Sequence, residues 1–328
     1  MTIILLVTLA LSIVLCGLYL QLARRWQILD RPNERSSHQQ PTPHGGGAGL
    51  MLAFCIGLLG AGLHYGPWPP GYGLVAGLAL LLMLLGIVDD LLSLSVRLRL
   101  ALYGLACLVA ALSVLPTPLT GITVLGVATA TLLALAMLWL VNLYNFMDGI
   151  DGIAATQCVL ACSAAAGLSW QPAGNSYAMF CLLLAASHLG FLLWNWPPAR
   201  LFMGDAGSIP AGFLLASLAL LGAVQGQLHP ACWLILLAVF ISDASWTLVW
   251  RMASGQPFTR PHRLHAYQRL SVYWGSHQRV DLLLCAVFVA WLLPLAWLLE
   301  IYPNYAILLV ILAYLPLLLG MAKTRPLA

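Results

Sequence analysis

Charge is what this sequence has least of. Asp, Glu, Lys and Arg together make up 7% of 328 residues, against about a quarter in a soluble globular domain. So few ionic groups cannot clothe a water-soluble surface of that size. With 62% hydrophobic residues and a mean hydropathy of +0.93, the chain reads as an integral membrane protein. Lysine is nearly absent, Lys323 being the single one, and nothing in the charge pattern points to nucleic acid as a partner. A C-x-x-C pair is missing. The eight cysteines (Cys16, Cys55, Cys107, Cys158, Cys162, Cys181, Cys232 and Cys285) all fall inside apolar runs, which suits small hydrophobes rather than zinc ligands. Strand-like alternation is missing too. Leu78 to Leu85 is almost unbroken in its hydrophobicity, and this excludes an outer-membrane barrel.

What remains is a series of apolar runs at roughly 2–23, 46–64, 71–88, 100–115, 121–141, 153–170, 177–194, 209–224, 230–250, 282–299 and 304–322. They predict an all-α polytopic membrane protein with about eleven transmembrane helices in one domain spanning 1–328. The first run has no basic segment before it and no small-residue cleavage site after it, and is read as a retained span rather than a secretory signal. Numbering the connections alternately places all 14 basic residues on one side. The positive-inside rule makes that side the cytoplasm, with a periplasmic N-terminus and a cytoplasmic C-terminus. The cytoplasmic connections then fall at about 24–45, 89–99, 142–152, 195–208 and 251–280.

Nine of the ten acids lie on that side or within about two turns of it: Asp30, Glu34, Asp89, Asp90, Asp148, Asp151, Asp205, Asp243 and Asp281. The first connection, Asp30 to Gly47, combines Pro-fixed backbone with glycines and can bring Arg35 and His38 beside an anion. Asp89 and Asp90 are adjacent at the end of the third run. Neighbours on a helix diverge by about 100°, so the two serve different tasks. Asn142, Asn145, Asp148 and Asp151 recur every third residue, and share one site only if the helix unwinds near Gly149. Asp205 stands among small residues in the Asn195–Ser208 connection, and the last loop gathers Arg260, Arg263, Arg269, His262 and His265, a guanidinium-rich clamp suited to a diphosphate. If the five central aspartates converge, each pair ~6 Å apart repels by about 3 kcal/mol at an effective dielectric near 20. A divalent cation resolves this, and oxygen-only donors with phosphate partners point to Mg²⁺, or Mn²⁺, rather than zinc.

The motifs carry a resemblance. They are P-x-x-R-x-x-H-x-x-P-T-P at Pro32–Pro43, L-G-x-x-D-D ending at Asp90, and N-x-x-N-x-x-D-G-x-D-G at Asn142–Gly152. N-x-x-P-A-x-x-F-M-G-D-x-G-S follows at Asn195–Ser208, then Asp243 with the last loop. Over about residues 30–270 the chain resembles the polyprenyl-phosphate N-acetylhexosamine-1-phosphate transferases, bacterial inner-membrane enzymes that initiate peptidoglycan, enterobacterial common antigen and O-antigen. The resemblance implies transfer of sugar 1-phosphate from a UDP-sugar to undecaprenyl phosphate on the cytoplasmic side, with release of UMP and use of Mg²⁺. It implies Asp89, Asp90 and Asp205 as catalytic residues, and Asp205 with Asp148 as metal ligands. Arg35, His38, Asn142, Asn145, Asp148, Asp151, Asn195, Phe202, Arg263 and His265 are the implied substrate contacts. Two departures stand out. Family members commonly carry H-x-H-H where this chain has His265-Ala-Tyr267-Gln268, and often Arg where it has His44. The altered last loop is more like that of the O-antigen initiators, which use deoxy-N-acetylhexosamines. The sequence leaves open whether two copies pair as a homodimer. The rival class is a polytopic secondary transporter of an anionic solute. Transporters set their charges near the midplane on broken helices, whereas only Asp243 and His188 fall inside runs here.

Overall fold

Within hydrocarbon every backbone N–H and C=O must find its partner inside the segment, so uninterrupted apolar runs become helices. A computed structural model of the chain describes residues 1–30, 40–116, 123–171, 175–256 and 262–323. Its helices are α1 (Thr2–Arg25), α2 (Gly47–Tyr65), α3 (Tyr72–Leu92), α4 (Val96–Val114), α5 (Val124–Met147), α6 (Ile153–Leu168), α7 (Ser176–Asn195), α8 (Asp205–Val224), α9 (Pro230–Leu236), α10 (Ala238–Ala253), α11 (Ala266–Trp274), α12 (His277–Ile301) and α13 (Ala306–Lys323). Strands β1 (Leu29–Asp30) and β2 (Thr42–Pro43) form one short antiparallel ladder, Leu29 opposite Pro43 and Asp30 opposite Thr42.

Among the described residues, nine helices are long and apolar enough to cross a bilayer, or ten if the bent α9–α10 pair is one span. The expected eleven are not reached, for a reason of length. α6 has 16 residues, a rise of about 24 Å against a hydrocarbon core of ~30 Å. The run expected at 230–250 is broken, α9 and α10 meeting at 72°. Near the break the Leu236 carbonyl accepts a hydrogen bond from Nε2 of Gln157 at 2.9 Å, which supplies a partner for a buried backbone group.

Burial orders the bundle. In the most apolar stretch of α8, 83% of residues are buried, against 22% in α1 and 17% in α13. α8 is therefore the axis, and the other two present much of their surface to lipid. The C-terminal ends of α3, α5 and α7 and the N-terminal ends of α8 and α12 meet at one end of this bundle, where the polar motifs lie.

Candidate active site

Close backbone approach builds the site. At Gly86, α3 passes α8 so tightly that a Cβ would stand 2.5 Å from the Asp205 carbonyl oxygen. Glycine alone permits that crossing, and one turn later α3 delivers Asp89 and Asp90 beside Asp205. Gly204 has φ +69, a left-handed turn that glycine makes without strain and that starts α8 at Asp205. The chain before it is pinned to the end of the first connection. The Phe202 N–H donates to the Pro43 carbonyl (2.8 Å), and the Gly46 and Gly47 N–H groups donate to Phe202 and Met203 (both 2.9 Å). Asn195 braces the third side: its Nδ2 donates to the Leu201 carbonyl at 3.0 Å, and its Oδ1 accepts the Gly152 N–H at 3.0 Å.

These junctions surround a cavity of about 540 Å³. Of the residues singled out from sequence, Asp90, Asn145, Asp148, Asp151, Asn195, Phe202 and Asp205 line it. α5 ends at Met147 and the chain turns through Asp148, which is how Asn145, Asp148 and Asp151 come to share one wall. Nδ2 of Asn145 donates both to Oδ1 of Asp205 and to Oγ of Ser208, each at 2.8 Å. Asp90 lies where the Asp205 and Ala206 backbone N–H groups open α8, with its Oδ2 3.9 Å from Nδ1 of His44. Burial lowers the His44 ring below the usual histidine range, against the pull of Asp30 and Asp205.

Four expected residues are placed elsewhere. Asp89 is buried, with its Oδ1 accepting the Leu94 N–H at 2.7 Å and its Oδ2 2.5 Å from Nη1 of Arg99. That nitrogen also lies 3.5 Å from Oδ2 of Asp205. Of the five aspartates, Asp90, Asp148, Asp151 and Asp205 line the cavity, whereas Asp89, beside Asp205, is taken up by a guanidinium. Asn142 turns back on its own helix, Nδ2 donating to the Leu138 carbonyl at 2.8 Å. His265 is buried with Nδ1 3.4 Å from Oδ1 of Asp243, its ring stacked 5.6 Å from that of Tyr267. The same carboxylate accepts the Ala266 and Tyr267 N–H groups at 2.8 and 3.0 Å. It caps α11, and the histidine is drawn to the cap rather than to the cavity. Arg263 is exposed and is not part of the lining. Arg35 and His38 lie outside the described residues.

The lining also includes Asp30, His44, Ser208, Gln268 and His277. Gln268 and His277 stand where the clamp of arginines was expected. A sequence signal for His277 exists in Gly275-Ser276-His277: a helix stop, then an N-cap serine that accepts the Arg279 N–H, fixing the histidine at the start of α12.

The donor set suits a hard divalent cation. Asp148 and Asp205 offer oxygens alone, and burial together with the carboxyls of Asp205 and Asp151 pushes Asp148 well above the ordinary carboxylate range. A bound cation would relieve that repulsion. Among the described residues no three His, Cys, Asp or Glu side chains are gathered into a cage. One or two carboxylates, completed by water and substrate phosphates, is a common way to hold Mg²⁺, so the residues fit it.

Residues 72–223 match glycosyl transferase family 4. The chain is 32% identical to decaprenyl-phosphate N-acetylglucosaminephosphotransferase of Mycobacterium tuberculosis, over 80% of this chain and 74% of that one. It is 29% identical to the probable undecaprenyl-phosphate N-acetylglucosaminyl 1-phosphate transferase of Bacillus subtilis, over 76% and 71%. With the phospho-N-acetylmuramoyl-pentapeptide-transferase of a Synechococcus the identity is 35%, over 71% of each. The first and third of these likenesses, spanning more than two thirds of each relative, establish that the chain belongs to glycosyl transferase family 4, among the polyprenyl-phosphate hexosamine-1-phosphate transferases.

Proposed function

We propose that the protein transfers N-acetylhexosamine 1-phosphate, or its deoxy counterpart, from a UDP-sugar to undecaprenyl phosphate, giving undecaprenyl-diphospho-sugar and UMP. The observation that carries this reading is that Asp90, Asp148 and Asp205, delivered by α3, the end of α5 and α8, share one cavity at the end of a membrane bundle. There a water-borne nucleotide and a lipid-borne phosphate can meet. An oxygen of the lipid phosphate attacks the sugar-bearing β-phosphorus in line. The bond from that phosphorus to the bridging oxygen breaks, and UMP carries the bridging oxygen away.

Asp90, beside the first N–H groups of α8, orients the lipid phosphate. The second pKa of a phosphate monoester is about 6, so its dianion is abundant at neutral pH and orientation matters more than deprotonation. Asn145 and Arg99 hold the two oxygens of Asp205 in place, and Phe202 offers a face on which uracil stacks. Asp205 and Asp148 hold Mg²⁺, with Mn²⁺ able to use the same donors. When bound, that ion supplies charge against the diphosphate and the departing UMP. The setting is the bacterial inner membrane, with the cavity on the cytoplasmic side. The His265-Ala-Tyr267-Gln268 segment supports the O-antigen-initiating branch.

The test is UMP release by purified protein given undecaprenyl phosphate and a panel of UDP-N-acetylhexosamines, with Mg²⁺ and with EDTA. Release that requires both lipid phosphate and divalent ion is expected, and no release with any donor refutes the reading. Asp205→Asn at matched expression should lose at least ~100-fold in turnover. Near-normal rates would remove the metal assignment.

A further inference from the structure

The cavity is acidic although the proposed donor is anionic. Asp30, Asp90, Asp148, Asp151 and Asp205 line it, and among the described residues no lysine or arginine does. The lining groups able to carry positive charge are two histidines. His44 is held towards its neutral form by burial. His277 is held by Asp151. Its Nδ1 lies 3.2 Å from Oδ2 of Asp151 and accepts the Asp151 backbone N–H at 3.3 Å. With Nδ1 accepting that N–H, the ring proton sits on Nε2. The Asp151 carboxylate is itself fixed, because its Oδ2 accepts the Ala199 N–H at 3.0 Å. One turn further along α12, Asp281 is fully buried with neither oxygen hydrogen-bonded. Its Oδ2 stands 2.6 Å from where a Cβ on Gly152 would be, on the residue next to Asp151. Two carboxyl groups therefore attend this end of the cavity, one of them with no partner of its own.

A ring whose Nδ1 is engaged by the fixed Asp151 keeps its second nitrogen, Nε2, for a ligand. We propose that His277, oriented by Asp151, is the imidazole contact for the diphosphate of the nucleotide donor. Nε2–H donates to a phosphate oxygen there. The inference rests on the transferase reading and gives to His277 the task that the sequence had suggested for His265, which does not line the cavity. Asp151 is a positioning residue in this arrangement, acting through the imidazole.

The test is calorimetric binding of UDP, UMP and uridine to the purified full chain in Mg²⁺ buffer, for wild type, His277→Gln, His277→Arg, Asp151→Asn and the double variant Asp151→Asn/His277→Gln. A charge-assisted contact predicts that His277→Gln weakens UDP about 10- to 100-fold, UMP less, and uridine less than ~2-fold. His277→Arg supplies a guanidinium donor to the same phosphate and should recover most of the UDP affinity. Asp151→Asn should weaken UDP in the same order of ligands, and the double variant should lose little more than His277→Gln alone. Equal weakening of all three ligands, or none, overturns the proposal. So does a double variant whose loss is the product of the two single losses, which would separate Asp151 from the imidazole. Wild-type protein that fails to bind UDP would defeat the transferase reading itself, whereas wild-type binding matched by His277→Gln defeats this inference alone.

Discussion

Replacing Arg99 by methionine should unsettle two carboxylates at once. The guanidinium Nη1 is 2.5 Å from Asp89 and 3.5 Å from Asp205. The longer contact alone is a gross attraction of about 5 kcal/mol at an effective dielectric near 20. Desolvation and the partly exposed guanidinium reduce what is realised. Truncating one partner of a buried pair costs about 3–5 kcal/mol, and the 31% exposure of the Arg99 side chain brings the expected loss to about 2–3 kcal/mol. In lipid nanodiscs this is a fall of roughly 3–4 °C in unfolding midpoint. The cause can be isolated. In Arg99→Met, Asp89 is left buried with the Leu94 N–H as its remaining hydrogen bond. Asp89→Asn in the same chain removes the stranded charge, so the double variant should be more stable than Arg99→Met, with a coupling of about 1–3 kcal/mol. UMP release should not follow stability. Oδ2 of Asp205 has lost its guanidinium in both variants, so turnover should stay low in the double variant. An unshifted midpoint in Arg99→Met or an additive cycle would refute the pairing, and recovered turnover in the double variant would refute any action of Arg99 on Asp205.

Helices were legible from sequence because their cause is local: in lipid, a long apolar run has one way to satisfy its backbone. The two departures arise where length and continuity are decided by neighbours. α6 stops at Leu168 although Ser169 and Trp170 could extend its apolar run, and the 230–250 run bends at Leu237, which carries no proline or glycine to announce it. Much of the acidic cavity was legible for a different reason. Asp, Asn and Gly beside twenty apolar residues are costly unless used, and Asp90, Asn145, Asp148, Asp151 and Asp205 do converge. Which way each side chain turns is a tertiary fact. Asp89 and Asp90 are chemically identical, and only the position of Arg99, one helix later, decides that the first is paired and the second lines the cavity. His265 and His277 present the same ambiguity. Asp243, some twenty residues before the first histidine, claims it by capping α11, and the second reaches the cavity from an N-cap that motif matching had no reason to weigh.

The same last segment yields two further predictions. Gln268 lines the cavity with its side-chain oxygen buried and unpartnered, while the Tyr267 hydroxyl is engaged, donating to the Phe146 carbonyl at 2.9 Å. Exchanging Tyr267-Gln268 for His-His should therefore reorder the UDP-sugar panel by about tenfold in kcat/KM ratio, and an unchanged ranking would detach this segment from sugar selection. His262 should contribute to acid sensitivity. Burial, with His265 and Arg251 nearby, lowers its pKa from the usual 6.5 to about 4. Between those values the unfolded chain takes up a proton that the folded chain refuses, so stability is full above about pH 6.5 and is lost as pH falls through the window. The ring is only partly buried, which limits the loss to about 1–2 kcal/mol rather than the full shift. His262→Gln should flatten the unfolding midpoint between pH 6.5 and 4. A variant whose midpoint falls as steeply as that of the wild type would place the acid sensitivity on another group.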